Sequence, residues 1–488
     1  MRQESTYDSI IIGAGLSGLA LAIRLKNRGE RVLVVERQGK VGGKLDQFEW
    51  NNFRWDKGPS VFTQPEQVEA LFKLSGKKTE DFFTYKKLEE SCRYFFNGER
   101  IIFHHDKQKR EHELKNHFST EEIEAVNDYL NDAKRSHMTV GDFFISNPKP
   151  RLRDFWKPSL LRRYMQFLKP SIRKTLNAYN EKKLNNPKLV KIFNRYGTYN
   201  GSNPYRMSAL FSIISHLENN EGVYFPNDGI RSIAESTYSL AKEIGVDFRF
   251  NEDVVASKSN NEFIVEGKET FKSKKLVSAI DQQIFYKDVW KDQVSFKRYD
   301  KYKRSSSAII FYWAIDDVLE DLGVHNIFFS EDYKQEFNQL FDKCTIPVDP
   351  TIYVHITSVV NSDDAPKGKQ NWFVMVHSPP GIYPSEEQLK SVRDTILSHL
   401  EKDLGRPIRD KILHEDYWTA REIEDITGGY KGSLYGPASN ELLSSMKRHD
   451  NRSKVDGLYF CGGTVHPGGG MPLVLRSAKI VDNLCYGK

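Results

Sequence analysis

The sequence is short of cysteine: Cys92, Cys344, Cys461 and Cys485 are the four in 488 residues, and no two form a CxxC or zinc-type pair. That spacing argues against a disulfide framework, a structural zinc module and a dithiol redox centre, and it fits a reduced, cytoplasmic compartment. Long apolar runs are missing too. No stretch reaches the roughly 18–20 uninterrupted apolar residues of a membrane-spanning helix, so any membrane contact is expected to be peripheral. The opening MRQESTYDS carries no apolar signal-peptide core. Nor does one charge dominate: 72 Lys and Arg against 66 Asp and Glu leave a net charge of +6. Over this length that does not suggest nucleic acid, although a local basic patch could meet an anionic membrane surface. No internal repeat or low-complexity tract is visible. What the chain does have is length enough for two or three domains and a large core, and a rich 12% of aromatic residues.

The informative stretch is Tyr7 to Gly18, YDSIIIGAGLSG. An apolar run from Ser9 to Ile12 enters the turn Gly13-Ala14-Gly15-Leu16-Ser17-Gly18, with glycines at the spacing of a dinucleotide-binding turn. Gly13 suits the tight turn, Gly15 the approach of a pyrophosphate to bare backbone, and Gly18 the close packing of helix on strand. Phosphates would sit at the N-terminus of the helix that follows, where unpaired N–H groups and the dipole favour negative charge. That helix is expected over Leu19 to Arg28, and a second strand, Arg31 to Val35, ends at Glu36. An acid about 20 residues past the turn can accept a ribose hydroxyl. Further glycines follow in Val41-Gly42-Gly43-Lys44 and Trp55-Asp56-Lys57-Gly58-Pro59-Ser60. The segment Glu36-Arg37 through Gly43-Lys44 resembles the ERxxxxGG[KR] extension of glutathione-reductase-like flavoproteins, which implies FAD as the dinucleotide.

Farther on, Gln64 to Leu74 and Ser119 to His137 have helical periodicity, with strand-like pieces at Arg93 to Phe96 and Arg100 to Phe103. His104, His105, His112 and His117 have no ligand spacing and are expected on a solvated surface, so no metal is assigned. Between Arg151 and Lys174 eight Lys or Arg face a single acid, interleaved with Phe155, Trp156, Tyr164 and Phe167. That composition suits either an interfacial helix on anionic lipid or a basic helix packed on its own domain. Gly197 to Ser215 suits a cavity wall or ordinary core. The helix Ile230 to Ile244 and the short strands to Ser278 return to the nucleotide-binding part, and Asp281 to His414 alternates strands and helices as a sheet-based substrate domain would. In the tail, Gly457 to Gly463 is expected as a buried strand ending in glycines, and Gly468-Gly469-Gly470 precede a helix, again offering bare N–H groups.

With GVYFPNDGI, VSAIDQQ, TIYVHITSVV and YFCGGTVHPGGGMP in view, the chain resembles the bacterial carotenoid desaturases, the phytoene desaturase-like flavoproteins. The tail HPGGGMPLVLRSAKIV is most similar to the branch acting on 1-hydroxycarotenoids at the 3,4-bond, with Leu473 where phytoene desaturases carry a glycine. The resemblance implies an α/β fold: a three-layer, Rossmann-like FAD-binding domain from 1–90, 221–285 and 415–488, a mixed-sheet substrate domain from 91–140 and 286–414, and a helical membrane-associating region over 141–220. It implies that Gly13, Gly15, Ser17 and Gly18 hold the pyrophosphate, Glu36 the ribose, and Gly43 with Lys44 the neighbouring phosphate or ribityl region. Arg37, Ala14 and Leu16 belong to the same contact set. Gly58, Pro59 and Ser60 would lie near the isoalloxazine, Val254 against adenine, and Gly463, Gly470, Met471 and Pro472 at the flavin edge. The implied activity is hydride removal from a CH2–CH2 unit beside a polyene. The substrate would be a long apolar carotenoid, the electron acceptor oxygen or a membrane quinone, and the location the inner face of the cell membrane. No catalytic base is assigned; His466 and Asp56 are expected to position flavin or cap a turn. A phytoene desaturase, a carotenoid isomerase and another amine-oxidase-like flavoenzyme stay open as alternatives.

Overall fold

The computed structural model describes residues 5–149, 173–442, 444 and 448–487. The chain opens with strand β1 (Ser5–Ile12), helix α1 (Leu16–Lys26) and strand β2 (Val32–Val35). β1 is central in a seven-stranded sheet, parallel to β2 on one side and to Thr270–Ser278 on the other. Ile12 is level with Val35 and with Ser278, and Ser278 with Phe460 of the strand Leu458–Phe460. Three strand ends from distant parts of the chain therefore stop together at the glycine turn, the place where open parallel sheets bind ligands.

Both faces of the sheet's centre are covered, which is why Ser9 to Ile12 of β1 and all of β2 are buried without alternation. Ile11, Val32 and Val34 face α1, the helix Arg231–Glu243 and the last helix, Met471–Cys485; Ile10, Ile12, Leu33 and Val35 face a second layer with Val254, Phe263 and Phe285. β1 is longer than its apolar run because Ser5 to Tyr7 also pair, with Phe271 to Ser273. α1 begins at Leu16 because Gly15 is already its N-cap.

The second sheet has seven strands in the order Ile412–Trp418, Ser307–Ile315, Gln370–Ser378, Ile352–Ile356, His325–Phe328, Glu90–Phe96 and Glu99–His104. All neighbours are antiparallel except His325–Phe328 with Glu90–Phe96. Ser307–Ile315 is buried throughout. Its Ile309, Phe311, Trp313 and Ile315 pack under the helix Glu386–Leu404, while Ala308, Ile310, Tyr312 and Ala314 face the other way, towards the hairpin Gln47–Asp56. Arg54 of that hairpin is held by two carboxylates: Nε and Nη2 each donate to Asp364 at 2.7 Å, and Nη1 donates to Asp56 at 2.9 Å.

A third cluster places the helices Thr120–Ser136, Leu176–Leu184 and Pro187–Asn194 against the outer strands Glu90–His104. The expected membrane-associating stretch is described only at its end, since residues 150–172 lie outside the described ones. Among the described residues no helix is long and apolar enough to cross a membrane. Of the four histidines expected on the surface only His112 is exposed; His104, His105 and His117 are half-buried. His105 accepts from the Val223 N–H at 3.3 Å and burial lowers its pKa to about 4, and His117 lies between Glu99 and Glu113. Chain segments remote in sequence cover them, which local charge patterning could not show.

Candidate functional site

Between the two sheets lies one continuous cavity of about 790 Å³. At one side its wall is the glycine turn: Gly13, Gly15, Leu16, Ser17, Glu36 and Arg37 all line it, as do Gly43, Lys44, Gly58, Pro59, Ser60 and Val254. Gly463, Gly470, Met471 and Pro472 complete that side from the far end of the chain. Of the residues singled out in the sequence, Ala14 and Gly18 do not line the cavity. Each supports it from behind. The Ala14 N–H donates to Glu36 Oε2 at 2.7 Å, and a Cβ on Gly18 would stand 2.0 Å from the Gly13 carbonyl oxygen, so only glycine lets α1 approach the turn.

Two helix N-termini meet at this wall. Gly15 caps α1 and Gly470 caps Met471–Cys485; neither cap offers a side-chain hydrogen bond and neither first turn holds an acid. A Cβ built on either glycine meets nothing within 4 Å. Open space, unpaired N–H groups and two positive dipole ends form a cradle that fits the pyrophosphate and ring edge of a flavin dinucleotide. Glu36 retains lone pairs for a ribose: among the described residues only the N–H groups of Ala14 and Gln38 donate to it, at 2.7 and 2.9 Å.

The glycine pair Gly42-Gly43 is folded directly on the first turn, Gly42 N–H donating to Ala14 O at 3.0 Å. Behind it Lys44 is half-buried, its Nζ donating to Leu434 O at 2.6 Å, and desolvation lowers its pKa to about 8. Near it Asp281 pairs with Arg304, accepts from Gln283 N–H at 2.9 Å, and lines the cavity. Arg448 is buried too. It donates to Gly463 O at 2.6 Å and Pro437 O at 2.8 Å, clamping the glycine-rich tail, and burial lowers its pKa to about 10. Sequence reasoning gave no role to Asp281, Arg304 or Arg448. The sequence signal for Asp281 was its place in VSAIDQQ, right after the strand that ends beside β1.

Asp56 and His466 lie outside the cavity lining and act locally. Asp56 accepts from the Ile230 N–H at 3.1 Å at the head of the helix Arg231–Glu243, besides pairing with Arg54. His466 is buried, with Nε2 2.9 Å from Asn147 O and 3.1 Å from Phe144 O, and burial lowers its pKa to about 4. As a neutral ring donating from Nε2 it anchors a loop.

Beyond the glycines the cavity floor is the second sheet. Trp418, Ile310, Met375, Phe373, Tyr353 and Ile327 line it from five adjacent strands, a run of about 19 Å at roughly 4.8 Å per strand. That floor is apolar with one polar line: Tyr353 Oη is 2.7 Å from Ser60 Oγ and 2.7 Å from His325 Nδ1, and His325 stacks on His355 at 4.9 Å. Burial holds the pKa of His325 well below that of free imidazole. Thr198 and Tyr199 of the segment Gly197 to Ser215 line the cavity, while most of the rest is buried core. Both expectations for that segment hold in part.

Residues 16–481 match the family described as flavin containing amine oxidoreductase. The chain is 37% identical to the 1-hydroxycarotenoid 3,4-desaturase of Flavobacterium sp. (strain P99-3), over 98% of both chains. It is 27% identical to the carotenoid 3,4-desaturase of Haloarcula japonica, again over 98% of both. Wild-type putrescine oxidase bound to putrescine shares the fold at a TM-score of 0.67 and 14% identity, with 99% of each chain covered.

Proposed function

The chain belongs to the flavin containing amine oxidoreductase family, and from that premise we propose that it is an FAD-dependent carotenoid desaturase, acting at the 3,4-bond of 1-hydroxylated acyclic or monocyclic carotenoids. The observation that carries the reading is the unbroken cavity from the glycine cradle to an apolar sheet floor, in a chain similar throughout its length to desaturases of such polyenes. FAD held there supplies a hydride acceptor at flavin N5.

The protein's own work is placement. Gly13, Gly15 and Ser17 hold the dinucleotide phosphates against the head of α1, Glu36 its ribose, and Val254 its adenine. Gly43, Lys44, Gly58, Pro59 and Ser60 on one side, and Gly463, Gly470, Met471 and Pro472 on the other, frame the ring. Ile310, Ile327, Phe373 and Met375 give a polyene a dry, shaped floor and exclude water from the reacting carbons. The second hydrogen leaves as a proton from a position whose charge is spread along the polyene, so a weak base suffices. Tyr353 Oη donates to Ser60 Oγ and meets His325 Nδ1, which gives the apolar floor one fixed polar line beside the ring without assigning a base. Oxygen or a membrane quinone then takes the electrons, and the basic, aromatic stretch 151–174 rests on anionic lipid at the inner face of the cell membrane.

The test incubates the FAD-loaded protein on liposomes with a 1-hydroxylated carotenoid and, separately, with phytoene. Loss of two mass units with a red-shifted spectrum on the hydroxylated compound alone is expected. Turnover of phytoene instead moves the chain to the general desaturases, an unchanged mass with altered double-bond geometry to the isomerases, and oxidation of an amine with neither polyene touched to the amine oxidases.

A further inference from the structure

Past Tyr353 and Ile327 the cavity continues to an end with no part in holding the cofactor, where Arg195, Thr198, Tyr199, Tyr333, Glu336 and Thr351 line it. Thr351 stands two residues before Tyr353, on the same side of the chain and about 7 Å along it. Tyr333 begins the helix Tyr333–Asn338, capped by Asp332, and Glu336 follows three residues later on the same helix face.

These are polar groups in an apolar wall, and each costs free energy unless bonded. Glu336 is only 2% exposed, and the Ser330 and Thr351 hydroxyls both donate to the same oxygen, Oε2, at 2.7 Å each. Burial raises its pKa to about 7. Tyr333 is 3% exposed, and its hydroxyl has no hydrogen-bond partner among the described residues. Arg195 Nε is likewise unpartnered, although its other nitrogens bond Glu218, Tyr94 and Tyr199. A buried donor without a partner is uncommon in a folded protein and calls for an explanation. Beside a carboxyl at the wall of a cavity, the explanation is a ligand that both accepts and donates, which an alcohol does.

Resting on the desaturase reading, we propose that Tyr333 and Glu336 form the subsite for the substrate's 1-hydroxyl group, Tyr333 donating to its oxygen and Glu336 accepting its hydrogen. Carbon 1 is two bonds from carbon 3, so the hydroxyl must be held close to the reacting bond. The position of Thr351, one strand repeat from the Tyr353 that meets Ser60, satisfies that need. A chain without the hydroxyl leaves both groups buried and unbonded, so the same geometry that accepts the alcohol disfavours its deoxy analogue.

The test compares the flavin-loaded wild type, Tyr333→Phe and Glu336→Gln on two polyenes differing only in the 1-hydroxyl, with binding read from the polyene absorption shift and turnover from product mass. The wild type is expected to bind the hydroxylated polyene about tenfold tighter or more. Tyr333→Phe levels that preference by weakening the hydroxylated ligand alone, and Glu336→Gln reduces it. Flavin content and Tm of Tyr333→Phe stay at the wild-type values, because the lost hydroxyl bonds nothing among the described residues. Equal wild-type affinity for the two polyenes, an equal loss on both in Tyr333→Phe, or an unchanged preference in both variants overturns the subsite. The desaturase reading fails separately: a wild type that prefers the hydroxylated polyene yet removes no hydrogen from it keeps the subsite and sinks the reaction.

Discussion

Replacing Gly15 by alanine separates the two things a glycine can do at this turn, leaving the fold intact while closing the cradle. The backbone at Gly15 has φ −71° and ψ 171°, an extended conformation that alanine adopts without strain, and its Cβ would meet no protein atom within 4 Å. Two small effects on the apoprotein oppose each other. Alanine reduces the freedom of the unfolded chain, a gain of about 0.4–1 kcal/mol, and is a poorer N-cap than glycine, a loss of similar size. The net change is about 0.5 kcal/mol or less, a Tm shift of about 0.5 °C or less in a chain of this length. The methyl group does occupy the space through which phosphate oxygens reach the first N–H groups of α1. Losing that approach is expected to weaken FAD about 100-fold, close to 2.7 kcal/mol. Gly18→Ala is the counterpart. Its Cβ would stand 2.0 Å from Gly13 O and 3.2 Å from Ala279 Cβ, so the backbone must move and the apoprotein is expected to lose about 1–3 kcal/mol or more. Thermal unfolding of both apoproteins and FAD titration by flavin fluorescence read the contrast. A Gly15→Ala protein that binds FAD like the wild type, or one that unfolds as early as Gly18→Ala, refutes the reasoning.

Arg54→Met leaves the Asp56 and Asp364 carboxylates buried without their cation, and chemical denaturation should show a loss of about 3–5 kcal/mol; a change below 1 kcal/mol would mean that solvent reaches the pair. Burial holds His377 and His466 at pKa values of about 4, below that of free imidazole. Between pH 6.5 and 4 the unfolded chain therefore binds more protons, and stability falls as pH falls, by up to about 3 kcal/mol per ring. An unfolding midpoint flat across that window counts against buried neutral rings. Lys44, lowered to about 8, acts at the other end: between pH 8 and 10.5 the unfolded chain again binds more protons, so the apoprotein gains stability as pH rises, and Lys44→Met removes that gain. On vesicles, flotation with anionic lipid that declines with added salt is expected, and equal flotation with neutral lipid argues against the lipid role of residues 151–174.

The sequence by itself determined the dinucleotide turn and the elements beside it, because those signals are local. An apolar run, glycines at fixed spacing and an acid after the second strand act within about thirty residues, and backbone sterics leave such a pattern few other conformations. It also made most strands of both sheets visible as short apolar segments, but not His325–Phe328 or Ile412–Trp418, and it missed bounds where pairing extended a strand, as at Ser5 to Tyr7, or where a cap started a helix early, as at Gly15. The rest depended on contacts that no local pattern carries. The Arg304–Asp281 pair, the Arg448 clamp on Gly463, the line from Ser60 through Tyr353 to His325, and the gathering of Arg195, Tyr333, Glu336 and Thr351 exist only because particular strands lie side by side. Ser60 and Tyr353 are 293 positions apart, yet their hydroxyls are within 2.7 Å. The histidines from His104 to His117 make the same point in reverse, since a charged, solvated-looking stretch becomes partly buried when remote segments close over it. Local chemistry specified which elements form and where a phosphate can sit. Burial and sheet register, which are properties of the whole chain, decided which polar groups face the cavity and which of them were left without a partner.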